Sequence, residues 1–330
     1  MTHSHHPSRL GFAVVTMGLL AHWPTGPLAA QGAINPMVAP RAADMARAGE
    51  QGAAKSYLGQ YLARSTDDPK AWLQLAKIYL TDAREWHLRG HVGEPDASLL
   101  LDFAATSLDQ TIRLQEDSGS VLRGYAQAGR DLLLIEAFGW EGAREKHEHG
   151  AIDLPAPLIE LGLNLIASCP SGGVLLTGDP LETLAVWFAE LELGRRPDLL
   201  PLIPSLWATD ARYRGQMARA LGVDSTVAVQ RALALVALRR PVCLAPLGDA
   251  AAMPEGPRTA IRLVQVTGLA TAPADMHLTF SDLIAAERAG RSVWVAEILR
   301  IYQVASQTNP LLCQSLFAQL GDRPVGACGR

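Results

Sequence analysis

The stretch Gly172-Gly-Val-Leu-Leu-Thr-Gly-Asp-Pro-Leu-Glu-Thr183 decides the fold. Its apolar run, Val174–Leu176, is short and bounded by glycines, as is typical of a buried strand. Asp179 is a good helix N-cap, Pro180 suits the first helical position, and Glu182 stands where its side chain can reach back to the cap. The sequence therefore predicts a strand that turns directly into a helix at Asp179.

The residues after this turn extend the pattern. Apolar positions at helical spacing continue to Leu193, and Gly194-Arg-Arg-Pro197 ends the helix. A second apolar run, 199–206, follows at once. A strand, a helix and a strand in this order predict a parallel pair with a right-handed crossover.

Further strands and helices follow along the chain. Residues 241–246, bounded by prolines, predict a third strand, and the β-branched residues of 260–267 predict a fourth. Thr209 or Asp210 is expected to cap a helix that ends at Leu221. Helices are also predicted over 226–239, 281–289, 293–306 and 311–320.

The first half of the chain has helical periodicity throughout. One helix is predicted from Ala42 to about Arg64, another begins at the cap Asp68, and a third covers about 120–147. The expected core positions of this third helix are Leu132, Leu133, Ile135, Phe138 and Trp140.

The helix after Asp68 resembles the first helix of a tetratricopeptide repeat. That resemblance is carried by Trp72, Leu75, Ala76 and Tyr79, with Ala104, Leu108, Ile112 and Leu114 expected in the paired helix. The implied fold class is a helical repeat-like N-terminal half followed by a small three-layer α/β domain with a mainly parallel sheet and C-terminal helices.

The N-terminus has the features of a secretory signal. A polar start ending at Arg9 precedes the twelve apolar residues 10–21, and small residues precede the expected cleavage after Ala30. Twelve apolar residues are too few to span a bilayer. The predicted organisation is a signal peptide (1–30), a leader (31–40), a helical region (41–150), a linker (151–157), an α/β domain (158–270) and C-terminal helices (275–330).

Composition excludes several classes of function. The 330 residues carry a net charge of −4 at pH 7 and scattered arginines, which gives no electrostatic reason to expect nucleic acid. There is no G-x-G-x-x-G, phosphate loop or G-x-S-x-G to indicate a nucleotide or serine hydrolase chemistry. No cofactor is predicted.

Four cysteines and two pairs of histidines are candidates for special chemistry. A bridge between Cys313 and Cys328 is expected in an oxidising compartment, whereas Cys169 and Cys243 are interpreted as buried free thiols. The histidine pairs, His87 with His91 and His147 with His149, are conceivable metal ligands. Gly90 interrupts the first pair and H-E-x-x-H is absent, so solvated surface is the favoured interpretation and no metal is predicted.

The candidate ligand site is the turn after the first strand. It contains Thr177, Gly178, Asp179, Glu182 and Thr183. The carboxyl end of a parallel strand beside a helix N-terminus is a common ligand position in open α/β sheets. Capping alone also accounts for both acidic residues, and it is the favoured interpretation.

The same region resembles a known family. The phrase 175–188, then 190–199, Ser205-Leu-Trp-Ala-Thr-Asp210 and Arg240-Pro-Val242 are similar to the soluble C-terminal region of bacterial membrane glycosyltransferase-like proteins related to protein O-mannosyltransferases. That region carries a G-D-N-D-T-x-P-L-W-Y phrase. The family's multi-span membrane region is not present in this sequence, so the resemblance implies a detached soluble module.

Two functions are therefore expected as alternatives. The first is an exported, non-catalytic scaffold or binding protein of the cell envelope, whose partner is another envelope protein. The second is an enzyme or ligand-dependent accessory factor of envelope glycan metabolism, with a glycan ligand at the Asp179 turn. A pocket converging on Asp179 would favour the second, and a helix cap covered by other side chains would favour the first.

Export gives the first testable prediction. If 10–21 is a signal core, the protein recovered from the bacterial envelope begins at Gln31 or within a few residues of it. N-terminal sequencing of the fractionated protein measures this. Recovery of intact Met1 from the soluble cytoplasm would contradict it.

Overall fold

A computed structural model describes residues 34–88, 97–114, 118–269, 277–290 and 293–320. The predicted signal peptide, His91 and Cys328 lie outside these ranges. The described chain is mostly helical, with a small five-stranded mixed sheet in its C-terminal half. Within the described ranges, no helix combines the length and the apolar character needed to cross a bilayer.

The N-terminal half is built from five helices. The single helix predicted between Ala42 and Arg64 is divided in two, because Gly49 adopts a left-handed conformation with φ of 85°. The predicted cap at Asp68 is confirmed, since its Oδ1 accepts from the backbone N–H groups of Lys70 (3.0 Å) and Ala71 (3.1 Å). The helices are α1 (Val38–Arg47), α2 (Gln51–Leu62), α3 (Pro69–Leu88), α4 (Ala97–Arg113) and α5 (Gly119–Lys146).

Four of the eight positions that carry the tetratricopeptide resemblance are buried. Leu75 and Ala76 on α3 and Ala104 and Leu108 on α4 all belong to the core. Ile112 lies on α4 as expected, with a side chain that is 41% exposed, and Leu114 directly follows the end of this helix.

Helix α5 is bent and contributes to the core of the C-terminal half. Gly139 has non-helical backbone angles (φ 77°, ψ 178°), which kinks the helix. Ile135 and Trp140 pack into the main core as predicted, whereas Phe138, next to the kink, is 53% exposed. Leu154, in the predicted linker, is also part of this core.

The sheet has the strand order β2-β1-β3-β5-β4. The predicted parallel pair is confirmed, since β1 lies parallel to β2, pairing Val174 with Leu200, and it is also parallel to β3, pairing Val174 with Val242. The strands are β1 (Val174–Leu176), β2 (Leu200–Leu202), β3 (Val242–Leu244), β4 (Thr259–Ile261) and β5 (Val264–Thr267).

The sheet is mixed, however, where a mainly parallel one was predicted. The expected fourth strand is a hairpin, because the chain reverses at Arg262, whose φ is 52°. Both of its strands run antiparallel to their neighbours. The β-branched residues indicated strand structure, but no Gly or Asn marked the turn.

Eight further helices lie in the C-terminal half of the described chain. Between β1 and β2, α7 runs into a π-helical segment, Phe188–Glu192. The predicted cap Asp210 begins α9, with its side chain accepting from the N–H groups of Arg212 and Tyr213. The helices are α6 (Ala156–Ser168), α7 (Pro180–Trp187), α8 (Pro204–Thr209), α9 (Ala211–Leu221), α10 (Val229–Ala237), α11 (Ser281–Arg288), α12 (Val293–Thr308) and α13 (Pro310–Leu320).

Helix α6 ties the C-terminal helices to the sheet. The Asn164 amide donates to the Tyr302 hydroxyl on α12 (2.7 Å), and the Glu160 carboxylate accepts from the backbone N–H of Leu283 on α11 (2.9 Å). All of these side chains are buried. Such buried hydrogen bonds fix the positions of α11 and α12 relative to α6, because a displaced helix would leave a buried polar group without its partner.

The cysteines correct the free-thiol interpretation. Cys169, at the end of α6, forms a disulfide with Cys243 on β3, with Cα atoms 5.8 Å apart. The two residues are 74 positions apart, so spacing in the sequence gave no signal of the pairing. Cys313 is also disulfide-bonded, and its predicted partner, Cys328, lies outside the described residues.

The Cys169–Cys243 bridge should contribute strongly to stability. Closing a loop of this length corresponds to about 4 kcal/mol in the chain-entropy description. We expect the double variant Cys169→Ser, Cys243→Ser to unfold at a clearly lower urea concentration than the parent. Urea unfolding measures the difference, and non-reducing peptide mapping checks the bridge. A parent that shows no linked peptide would contradict the assignment.

Candidate functional site

The five predicted site residues lie together where β1 turns into the first turn of α7. Asp179 caps α7 as predicted, since its Oδ1 accepts from the N–H groups of Leu181 (2.8 Å) and Glu182 (3.4 Å). The Thr183 hydroxyl donates to Oγ1 of Thr177 at 2.9 Å, and Thr177 is fully buried. The polar groups of this turn are thus largely engaged with one another.

Gly178 brings the turn against the loop that follows β3. A Cβ at Gly178 would lie 3.2 Å from three backbone atoms, namely Leu247 O, Gly248 Cα and Asp249 N. In a sheet with the order β2-β1-β3, the crevice for a ligand falls between the ends of β1 and β3. Here the backbone of the two loops is in close contact at Gly178.

Glu182 joins the same two loops. Its Oε1 accepts from the backbone N–H of Leu247 at 2.7 Å, and its Oε2 has no hydrogen-bond partner among the described residues. Burial raises the pKa of Glu182 to about 8, against the opposing effect of the Leu247 N–H. The side chain is therefore a largely protonated carboxyl at neutral pH.

Charged and aromatic groups border the turn on its outer side. The Arg300 guanidinium on α12 lies 3.6 Å from Oδ2 of Asp179. Burial, together with the negative charges of Asp179 and Glu297, raises the pKa of Tyr125 to about 12. Helices α5 and α12 therefore both contribute polar groups next to the cap.

A second polar cluster surrounds His147, immediately after α5. Its Nδ1 lies 2.9 Å from Oδ1 of Asp131, and its Nε2 lies 2.9 Å from Oε2 of Glu192. Burial acts to lower the pKa of His147, but the two carboxylates outweigh it and the pKa lies above the ordinary value. The prediction of a solvated surface is wrong for His147, which is buried, and right for His149, which is exposed.

A third cluster joins the N-terminal helices to α9. Nε2 of His87 on α3 lies 3.0 Å from Oδ2 of Asp210, the cap of α9, and 3.0 Å from Oε1 of Glu136 on α5. The hydrogen bond to Asp210 has good geometry, whereas Glu136 Oε1 is outside hydrogen-bonding geometry. Interaction with Glu136 raises the pKa of His87, so the solvated-surface prediction is wrong here as well.

Glu190 was missed by the sequence interpretation. It lies in the π-helical segment, fully buried, and neither carboxyl oxygen has a hydrogen-bond partner among the described residues. Burial raises its pKa well above the ordinary value. Its burial could have been predicted from the sequence, because Glu190 lies between the apolar residues Phe188 and Leu191 of a helix that was expected to pack on the sheet.

Comparisons of this chain with protein-family models, with curated proteins and with solved structures gave no match. The resemblance to the glycosyltransferase-like proteins therefore stays a hypothesis that rests on the quoted phrases.

The raised pKa of Glu182 predicts a specific pH dependence. Its folded value of about 8 exceeds the ordinary value of 4.5, so between these limits the folded state holds a proton that the unfolded state has lost. The stability of the parent therefore falls as pH rises through this window, by at most about 1.4 kcal/mol per pH unit from this group. Glu182→Gln cannot ionise and should lack that component.

Urea unfolding of parent and variant at about pH 5, 6.5 and 8 measures this difference. Glu297→Gln is the matched control, because Glu297 is a half-exposed carboxylate on the same side of the turn. We expect the Glu297 variant to follow the parent. Parallel pH profiles for the parent and Glu182→Gln would show that the carboxyl ionises normally in the folded protein.

Proposed function

We propose that this chain is an exported, non-catalytic scaffold or binding protein of the cell envelope. In this proposal the N-terminal helices form a repeat-like region, and the sheet with its helices forms a layered α/β module that corresponds to the soluble region of the glycosyltransferase-like family. Its partner is another envelope protein.

The observation that carries this proposal is the closed turn at Asp179. Its carboxylate caps α7, and the backbone of residues 247–249 packs closely against Gly178 at the end of β1, which leaves little room for a ligand there. A catalytic carboxylate needs room for a substrate next to it. The polar residues of this turn are better explained as parts of the fold.

The Cys169–Cys243 bridge supports the proposed location. Structural disulfides persist in oxidising compartments, such as the periplasm or the extracellular space, and are rare in the cytosol. A cysteine pair that is buried and 74 residues apart has the character of a structural bridge. This agrees with the signal sequence expected at 1–30.

One observation favours the alternative of a ligand-dependent factor in envelope glycan metabolism. Glu182 and Tyr125 both have strongly raised pKa values and lie around Asp179, with Arg300 at its outer edge. Perturbed ionisable groups often cluster at functional sites. Burial is the largest cause of both pKa shifts, and a closed fold without a ligand site buries such groups as well as a functional site does.

Substitutions at Asp179 separate the two functions. As a cap, Asp179 can be replaced by Asn or Ser with little loss, whereas Asp179→Ala should cost about 1 kcal/mol because helix N–H groups lose their acceptor. The contact with Arg300 at 3.6 Å is partly exposed and should contribute little. Thermal unfolding of the three variants measures this order.

Partner binding is followed in the same variants by chemical cross-linking of the full chain in the bacterial envelope. Asp249→Ala is the matched control, since Asp249 also follows a glycine at the same sheet edge and caps a short helix. We expect the folded variants to give the cross-linked species of the parent. A folded Asp179→Asn protein that loses these species would overturn the scaffold assignment and favour the glycan-dependent alternative.

A further inference from the structure

The loop after α5 and the end of the π-helical segment meet at a cluster of metal-ligating side chains. One ring nitrogen of His147, one of His149 and a carboxylate oxygen of Glu192 all lie within 4.8 Å of one another. The two imidazole rings are 5.2 Å apart between centroids and nearly perpendicular. Two histidines and one glutamate form a ligand set that zinc uses in proteins.

His147 is already oriented as a metal ligand. Its Nδ1 lies 2.9 Å from the Asp131 carboxylate, which directs Nε2 toward Glu192. Asp131 is itself held by the amide of Gln127 at 3.1 Å. A carboxylate behind a ligating histidine is the usual outer support of a zinc site, because it fixes the ring and its tautomer.

The space between the ligands suits a small ion. Nε2 of His147 and Oε2 of Glu192 are 2.9 Å apart, and two tetrahedral zinc ligands of this kind are about 3.3 Å apart. The pair therefore has to open by only a few tenths of an ångström. A cavity of about 10 Å³ lies beside this pair, with Asp131 also in its lining, and His149 lies outside that lining on the exposed side of the pair.

We propose that His147, His149 and Glu192 bind a divalent transition-metal ion of the zinc type, with Asp131 as a positioning residue behind His147. The π-helical segment sets Glu192 at the end of a widened turn, a feature frequent at functional sites. His149 is exposed, so the ion reaches the site from solvent on that side. Nitrogen ligands favour zinc over Mg²⁺ and Ca²⁺, which prefer oxygen.

The His87 cluster is a weaker candidate for the same chemistry. A single nitrogen, Nε2, faces both Asp210 and Glu136, and a second histidine is lacking among its described neighbours. The other oxygen of Asp210 is used to cap α9. This cluster is better explained as a polar contact between helices. The variant His87→Ala is therefore a suitable comparison for variants of the His147 cluster.

The test is metal binding by the full chain after treatment with a chelator. Co²⁺ is titrated while the visible absorption of tetrahedral cobalt is followed, and Zn²⁺ is measured by competition with a chromophoric chelator and by elemental analysis. The expected signal cleavage removes His3, His5 and His6, and any uncleaved chain carries them equally in every variant, so they contribute an equal background. Mg²⁺ serves as the comparison ion and should not compete.

The decisive variant is His149→Ala, because His149 is exposed and its loss should leave the fold intact. We expect the parent to bind one zinc ion more than this variant, or to bind it at least tenfold more tightly. The absorption of tetrahedral cobalt should be present in the parent and absent in the variant. Asp131→Asn should weaken binding about 10-fold to 100-fold while keeping the ligands. The matched controls are His277→Ala and Glu148→Gln, both at exposed positions.

Two results would overturn the proposal. One is equal zinc stoichiometry and affinity in the parent and in folded His149→Ala, which would leave His147 as a hydrogen-bonded link between two carboxylates. The other is binding that disappears in His87→Ala and persists in His149→Ala. Neither result depends on the scaffold function, since the metal measurements use no partner.

Discussion

The position of α7 depends on two close approaches of backbone, both made possible by glycine. Gly178 lies against residues 247–249, and Gly162 on α6 lies against the carbonyl of Ala185. A side chain at either position would have to displace backbone, which packed interiors do not easily permit. With α7 held on both sides, Glu182 is carried into the protein and its carboxyl meets the Leu247 N–H.

Local signals allowed much of this arrangement to be predicted. The strand, the cap at Asp179 and the parallel crossover follow from residues close together in the sequence, and so does the cap at Asp68. Gly49, where the first predicted helix is divided, is also a local signal for a helix end. The apolar periodicity on both sides of it nevertheless favoured one continuous helix. The reversal at Arg262 carried no such mark, because a residue other than glycine takes the left-handed conformation there.

Contacts between distant parts of the chain account for what could not be predicted. The partners of His147 come from positions 16 and 45 residues away, and His87 meets Asp210 across 123 residues. Burial of such side chains is decided by the tertiary fold, so a polar sequence such as Lys-His-Glu-His indicates surface unless its partners are known. The sequence does not predict the π-helical turn either, because this turn depends on the packing around Glu190 and its neighbours.

Helix α5 connects these observations. It begins beside α4, supplies Glu136 to the His87 cluster, places Trp140 against Trp187 of α7 and ends at His147. Asp131, which precedes the kink at Gly139, and His147, which follows the helix, lie together beside Glu192 of the π-helical segment. The N-terminal helices and the sheet are therefore joined through one continuous element and its charged contacts.

The Cys169–Cys243 bridge also determines how the protein responds to proteases. It closes a covalent ring that contains β1, α7, β2 and the helices leading to β3. A single cut anywhere inside that ring leaves both pieces attached through the sulfur atoms, so the molecule keeps its mass until the bridge is reduced. The exposed residues of the ring, such as those around Gly222, are thus points where cleavage opens the main chain without releasing a fragment.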